Sequence, residues 1–300
     1  MHSRTFRPGR PVDLGLTLGP MARGRGDPTM AFRPDGIWRA TRSDQGPATM
    51  RFSAAGADIT VQAWGPGAAR VLDAAPDLLG AGDDDGAFVA HHPVTHEAYR
   101  RFPGLRIAKS RAVLEALVPS ILEQKVTGRS ARRSWARLVR RYSEPAPGPV
   151  SRRLWLPPDP ARLARLPAYA FHPLDVERKR ADTIRTACAN AASLEAAPDL
   201  SAVDARRLLT ALPGVGAWTY AAVALVALGD PDAVPVGDYH LKNVVSWNLA
   251  GRPRGTDDEM LELLEPYRGQ RGRAIRLIVL GGTAPPKYGP RLEVQSIAGI

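Results

Sequence analysis

The 300-residue chain carries 41 Lys and Arg against 30 Asp and Glu, a net charge of +11, with 44% hydrophobic residues and one cysteine. That is enough apolar residue and length for two domains or one large one. The charge favours an anionic partner without naming it. The lone Cys188 excludes a disulfide within the chain and a thiolate metal or iron–sulfur centre, and points to a cytosolic setting.

The first thirty residues mix Pro, Gly and Arg around one apolar patch, Val12 to Leu18, and read as a partly loose tail entering a first strand. The early arginines are not followed by the apolar run of a secretory leader. From Ile37 to Trp64 the pattern alternates in short runs. Ile37–Ala40, Thr49–Phe52 and Ile59–Trp64 predict antiparallel strands separated by Gly, Asp and Pro turns. Gly65-Pro66-Gly67 stops the last, and Ala68 to Leu78 predicts a helix. Residues 1–95 are thus expected to form a small α+β domain with a loose N-terminal tail.

Helical periodicity governs the rest. Ser110 to Val126 places Val113, Leu114, Leu117, Val118, Ile121 and Leu122 on one face. Pro119 inside that run predicts a kink or a break into two helices. Ser130 to Tyr142 is amphipathic, with Trp135, Leu138 and Val139 inward and five arginines outward. Ser143 to Pro160 predicts a loop. Helices follow at 159–166, 174–194, 204–212, 218–228, 240–249, 257–264 and 272–280, with short connections that imply a compact helical domain over 96–285. Residues 286–300 predict an irregular tail. The most apolar stretch, Tyr220 to Leu228, is too short to span a bilayer.

LLTALPGVGAWTY, followed by VPVGDYH, carries the chemistry. Pro213 cannot continue a helix, and Gly214 and Gly216 allow angles and approaches that a β-carbon hinders. Leu212 to Gly216 can therefore form a hairpin that offers backbone amides and a helix N-terminus to phosphate, with Val215 packed inward. Two glycines between helices are also compatible with a purely structural turn. Asp238 lies 22 residues beyond Gly216, so that one helix can return it to the same face. It suits an N-cap. A carboxylate there can also stabilise positive charge on a sugar as a glycosidic bond breaks, or orient water. Asp257 and Asp258 precede another helix and read as cap and surface.

LLTALPGVGAWTYAAVALVALG…AVPVGDYHLKN resembles the helix-hairpin-helix, GPD-type base-excision DNA glycosylases, nearest to the bacterial 3-methyladenine DNA glycosylase II branch. RFPGLRIAKSRAVLEALVPSILEQKVTGRSARRSWARLVRRY extends the resemblance upstream, over about residues 35–280 in all. It implies an N-terminal antiparallel sheet like that of the TATA-binding protein, then an all-α glycosylase domain. It also implies that Asp238 is the catalytic aspartate, that Gly214 and Gly216 are the hairpin glycines, and that the loop from Ile121 to Val126 probes the duplex. Strand-nicking relatives carry a lysine where this chain has Trp218. Indole has no nucleophilic amine, so the resemblance implies monofunctional hydrolysis. Trp218 can stack on a cationic alkylated base, or be a core tryptophan. Tyr239 is a second candidate pocket wall, or packs in the core.

The family often shows two glutamines where this chain has Gln124-Lys125, and an aromatic near Val279, which this chain lacks. Candidate DNA contacts are Gln124, Lys125, Val126, Thr127, Arg129, Arg132, Leu212, Gly214, Val215, Gly216, Thr219 and Lys242. Val126 and Thr127 would form a modest wedge. No metal site and no cofactor are expected. The expected partner is duplex DNA with damaged bases, met by a monomer in the cytoplasm of a bacterium. A non-catalytic DNA-binding protein, or a glycosylase for deaminated or oxidised purines, remains an alternative.

Overall fold

The computed structural model describes residues 1–149 and 154–286; the expected tail over 286–300 lies outside them save for its first residue. Five strands, β1 (His2–Phe6), β2 (Met30–Arg33), β3 (Gly36–Ser43), β4 (Gly46–Ala55) and β5 (Asp58–Trp64), form one antiparallel sheet ordered β1-β5-β4-β3-β2. The three strands expected from alternation are its centre, with Val61 opposite Phe52 and Arg51 opposite Trp38. The loose tail is corrected: residues 2–6 are an edge strand paired to β5. The patch at Val12 to Leu18 forms a short helix, α1 (Leu14–Leu18), capped by Asp13, and the segment then enters a strand, β2, at Met30.

Helices α2 (Ala68–Asp73) and α3 (Ala75–Leu78) cover one face of the sheet, burying Met50, Phe52, Val61, Val71 and Leu72. On the other face Trp38 stacks on Trp64, with ring centroids 5.3 Å apart. Ala146, Leu154 and Leu156, from the segment expected only as a loop, close over Trp38 and Ala40 there.

The helical part has two cores. One is built by α5 (Val113–Leu122), α6 (Gly128–Tyr142), α7 (Pro160–Arg165), α8 (Arg178–Ala189), α9 (Ala191–Glu195), α10 (Ala202–Thr210) and α11 (Ala217–Val223). The other joins α4 (Pro93–Arg101) to α12 (Leu241–Ala250), α13 (Asp257–Leu264) and α14 (Arg271–Gly281). The expected division at 95/96 thus falls inside α4, whose partner α14 comes from the far end of the chain.

Of the kink or break expected at Pro119, the break does not occur: α5 runs through it as one helix. All of its residues except Glu115 are buried. Packing on every side offsets the one hydrogen bond that proline removes. Glu115, the exception, accepts from Arg39 (2.6 Å), the Thr41 hydroxyl (2.7 Å) and the Arg42 amide (2.9 Å), bolting the sheet to the first helical core. The helix expected over 174–194 is interrupted: Asp175 sits at φ +63°, α8 starts at Arg178, and Asn190 separates α8 from α9. After α11 the chain widens into a π turn, Ala224–Leu228. Its carbonyls at Val226 and Ala227 accept from the amides of Ser110 and Arg111, 3.0 Å each. The chain then crosses to the second helical core through residues 229–240, and Asp238 lies on that crossing.

Candidate active site and nucleic-acid interface

The helical hairpin is α10, a tight turn and α11. Ser201 caps α10 by accepting from the Asp204 amide. The Val215 amide donates to the Leu212 carbonyl at 3.0 Å, and Gly214 has φ +88°. Pro213 then Gly214 at the two central positions is the pattern of a type II turn. A β-carbon on Gly214 would also collide with the Thr183 side chain on α8. Gly216 differs. Its backbone is extended, and a β-carbon there would meet nothing within 4 Å. Nothing inside the protein demands a glycine at 216; the open space lies outside. The first hydrogen bond of α11 is donated by Tyr220 to the Gly216 carbonyl (2.9 Å), so the amides before it belong to the unbonded first turn.

The two glycines are therefore expected to respond differently to substitution. Gly214→Ala is expected to cost about 1–3 kcal/mol from the left-handed backbone alone, with the Thr183 collision added. Gly216→Ala should leave stability within about 0.5 kcal/mol yet weaken duplex binding about tenfold, some 1.4 kcal/mol. Chemical denaturation and DNA-binding titrations of both variants check this.

The Asp238 carboxylate is half-buried and held from three directions. Oδ1 accepts from the amides of His240 and Leu241, 2.9 Å each, at the mouth of α12. Oδ2 accepts from the Trp218 indole Nε1 at 3.1 Å. A carboxylate has about four acceptor positions, so one remains on Oδ2. Asp238 is not itself the N-cap of α12, which is His240; from two residues before the cap its Oδ1 takes the first amides, and the carboxylate is left oriented with capacity to spare. Trp218 is not a core tryptophan: its indole is half-buried, with its N–H on Asp238. Tyr239 is 75% exposed and meets the His240 ring edge-on, so the core-packing alternative fails for it.

The loop after α5 is tied to the same assembly. Gln124 Nε2 donates to the Gly214 carbonyl and the Thr219 hydroxyl, 2.9 Å each. This fixes the amide orientation, since a carbonyl demands the NH₂ end. Gln124, Thr219, Trp218 and Asp238 thus form a connected run from the loop through the hairpin to the carboxylate. Val215 is 5% exposed, packed inward as expected. Thr219 is 2% exposed, which corrects it as a side-chain contact to DNA; only its backbone remains available. Leu212 is half-buried on the first helical core.

Lys125 is exposed at φ +55° on the loop tip, Val126 is half-exposed beside it, and Thr127 caps α6 by accepting from Ser130. Arg129 is exposed, and neither Lys125 nor Arg129 has an ion-pair partner among the described residues. Arg132 lays its stem along Gly24, with its guanidinium beside Gly128, joining the loop to the N-terminal part. Lys242 departs from expectation: its ammonium lies 3.6 Å from Asp257, a paired cation rather than a free one. Asp257 was missed as more than surface. It also accepts from the Gly237 amide at 3.1 Å, one residue before Asp238. Lys179 adds an exposed cation one turn before Thr183, on the flank of α8 that meets Gly214.

Arg276 donates to the Arg106 and Leu16 carbonyls. Burial, then repulsion from Arg273, brings its pKa down to about 10. Cys188 is buried, and burial pushes its thiol up to about 12, which disqualifies it as a nucleophile. Among the described residues there is no cluster of three or more His, Cys, Asp or Glu able to hold a metal, and no helix long and apolar enough to cross a membrane.

The family model of the HhH-GPD superfamily base excision DNA repair proteins matches residues 118–268, half of the chain, and spans the loop, the hairpin and Asp238. The chain belongs to that superfamily. This HhH-GPD protein is 33% identical over 180 residues to a Mycobacterium tuberculosis protein named "Probable bifunctional transcriptional activator/DNA repair enzyme AlkA". The match takes in 57% of this chain and 33% of the relative, so the chain spans about a third of that protein's length. Among solved structures, the HhH-GPD fold seen here is shared with a 3-methyladenine DNA glycosylase from Archaeoglobus fulgidus, at TM-score 0.77 and 16% identity over 93% of this chain and 98% of that one. An 8-oxoguanine glycosylase/lyase from Clostridium acetobutylicum follows at TM-score 0.72 and 12% identity, over 94% and 97%. At these identities the likeness is one of fold, the antiparallel sheet followed by the helical domain.

Proposed function

We propose that this HhH-GPD protein is a monofunctional DNA glycosylase that hydrolyses the N-glycosidic bond of alkylated purines such as 3-methyladenine in duplex DNA. The observation that carries the reading is the Asp238 carboxylate, held by three donors and hydrogen-bonded through Trp218 to the hairpin. Phosphates dock on the amides of Gly214, Gly216, Ala217 and Trp218 and on Lys125 and Arg129. The lesion nucleotide rotates out of the stack. As its N–C1′ bond breaks, the sugar gains positive charge, and Asp238 stabilises that charge and orients the attacking water. The relatives' names, a DNA repair enzyme and a 3-methyladenine DNA glycosylase, support the substrate class. Trp218, in place of the lysine of strand-nicking relatives, supports hydrolysis without a lyase step. Its indole beside Asp238 gives a cationic base a cation–π partner. The protein acts as a monomer, needs no cofactor, and works on nucleoid DNA in a bacterial cytoplasm.

A panel of duplex oligonucleotides, each with one lesion, tests this. Abasic sites are expected from methylated purines, and strand breaks only after heat or alkali. Binding without an abasic product on any lesion would leave a DNA-binding protein. Release of 8-oxoguanine or hypoxanthine, with methylated purines untouched, would move the substrate class. Breaks before alkali would end the monofunctional assignment.

A further inference from the structure

We infer that Asp257 is a positioning residue for Asp238, acting as a clamp that grips the chain on both sides of that carboxylate. The inference rests on the glycosylase reading for its consequence in catalysis, but on geometry alone for the clamp.

Two contacts define it. Asp257 Oδ1 accepts from the Gly237 amide at 3.1 Å. Asp257 Oδ2 lies 3.6 Å from the Lys242 ammonium. Gly237 immediately precedes Asp238, and Lys242 follows Leu241, whose amide binds Asp238 Oδ1. One side chain from α13 therefore bridges the two ends of the Asp238 turn. The turn needs such a brace. Gly237 sits at φ +92° with open space where a β-carbon would stand, so it has no side chain to hold it, and the turn's own bond is the Asp238 amide on the Pro235 carbonyl at 3.2 Å.

The anchor, by contrast, is rigid. Thr256 and Glu259 form a reciprocal capping box at the start of α13, and Met260 and Leu264 are fully buried below it. The Gly255 amide donates to Asn243 Oδ1 at 3.1 Å, tying the entry of α13 to α12. Helix capping does not explain Asp257, because Thr256 occupies the cap. Nor does the favourable effect of acidic residues in a first helical turn, because the exposed Asp258 supplies the same charge and touches neither Gly237 nor Lys242. The clamp also makes Lys242 a structural cation, which removes it from the set that meets phosphate.

The test uses the full chain with Asp257→Ala, Asp257→Asn and Asp258→Ala. The first readout needs no activity: the indole N–H resonance of Trp218, assigned with Trp218→Phe, reports its contact with Asp238. It should shift or broaden in Asp257→Ala and stay in place in Asp258→Ala. The second is single-turnover base release from methylated duplex DNA. Asp257→Ala should lower the rate about tenfold with the Kd for duplex within twofold. Asp257→Asn, which keeps an acceptor for the Gly237 amide, should recover most of it. An unmoved Trp218 resonance in Asp257→Ala, or a rate loss matched by Asp258→Ala or accompanied by an equal loss of binding, overturns the clamp. If the wild-type protein releases no base from any lesion, the glycosylase reading fails instead, and the Trp218 resonance still decides the clamp.

Discussion

Asp238→Asn is expected to lower base release from methylated duplex DNA by about 10²–10³-fold, the usual cost of removing one preorganised electrostatic group. The Kd for undamaged duplex should stay within about threefold, because the hairpin amides and the exposed cations are unchanged. The substitution keeps the shape. Its amide oxygen can still accept from His240 and Leu241. The NH₂ end must then face the Trp218 indole N–H, a donor against a donor, so the tryptophan contact is lost together with the charge. Single-turnover release and anisotropy titrations measure the two effects separately. Retention of more than about a tenth of the wild-type rate would remove Asp238 from the chemistry.

The second large effect is on stability. Asp83 and Arg273 form an ion pair in which each side chain is 1% exposed. Asp83 Oδ2 also accepts from the Ile107 amide at 3.0 Å, and Arg273 Nε donates to Gln270 at 2.8 Å. Removing one partner strands the other as a buried, uncompensated charge, which costs about 3–5 kcal/mol. Asp83→Ala should therefore lower the unfolding midpoint by roughly 10 °C. Asp83→Leu combined with Arg273→Met should restore most of it, since apolar replacement of both partners of a buried pair is often near neutral. Thermal unfolding of the single and double variants measures this. Equal loss in both would mean that shape rather than charge complementarity holds α14 to the loop before Phe88.

What was legible in the sequence follows from what leaves a local signature. The central strands β4 and β5 alternate because one face packs on α2. The hairpin shows as Pro-Gly because a type II turn needs a positive φ after proline. Asp238 shows because an aspartate follows Pro-Val-Gly just before an apolar helix, where its carboxylate takes the amides of His240 and Leu241. The edge strand β1 left no signature: HSRTF is polar, exposed along most of its length and held by pairing to β5. The covering of the second sheet face by Ala146, Leu154 and Leu156 is non-local and had none either. Pro119 misled because a proline reads as a break when the tertiary packing around it is invisible. Thr219 faces Gln124 rather than DNA, and Lys242 faces Asp257, for the same reason: helix position predicts a face, not the neighbour that fills it. Asp257 was legible as the start of a helix and illegible as the brace of a turn twenty residues earlier.

The central claim is electrostatic, and affinity for abasic analogues tests it most directly. One duplex carries a neutral tetrahydrofuran abasic residue, and another a cationic pyrrolidine in its place, which imitates the charge that develops on the sugar. The wild-type protein should bind the cationic duplex at least tenfold tighter, about 1.4 kcal/mol. Asp238→Asn should erase that preference without weakening the neutral complex. Equal affinity of the wild-type protein for the two duplexes, or a preference that survives Asp238→Asn, would contradict a carboxylate held against the sugar.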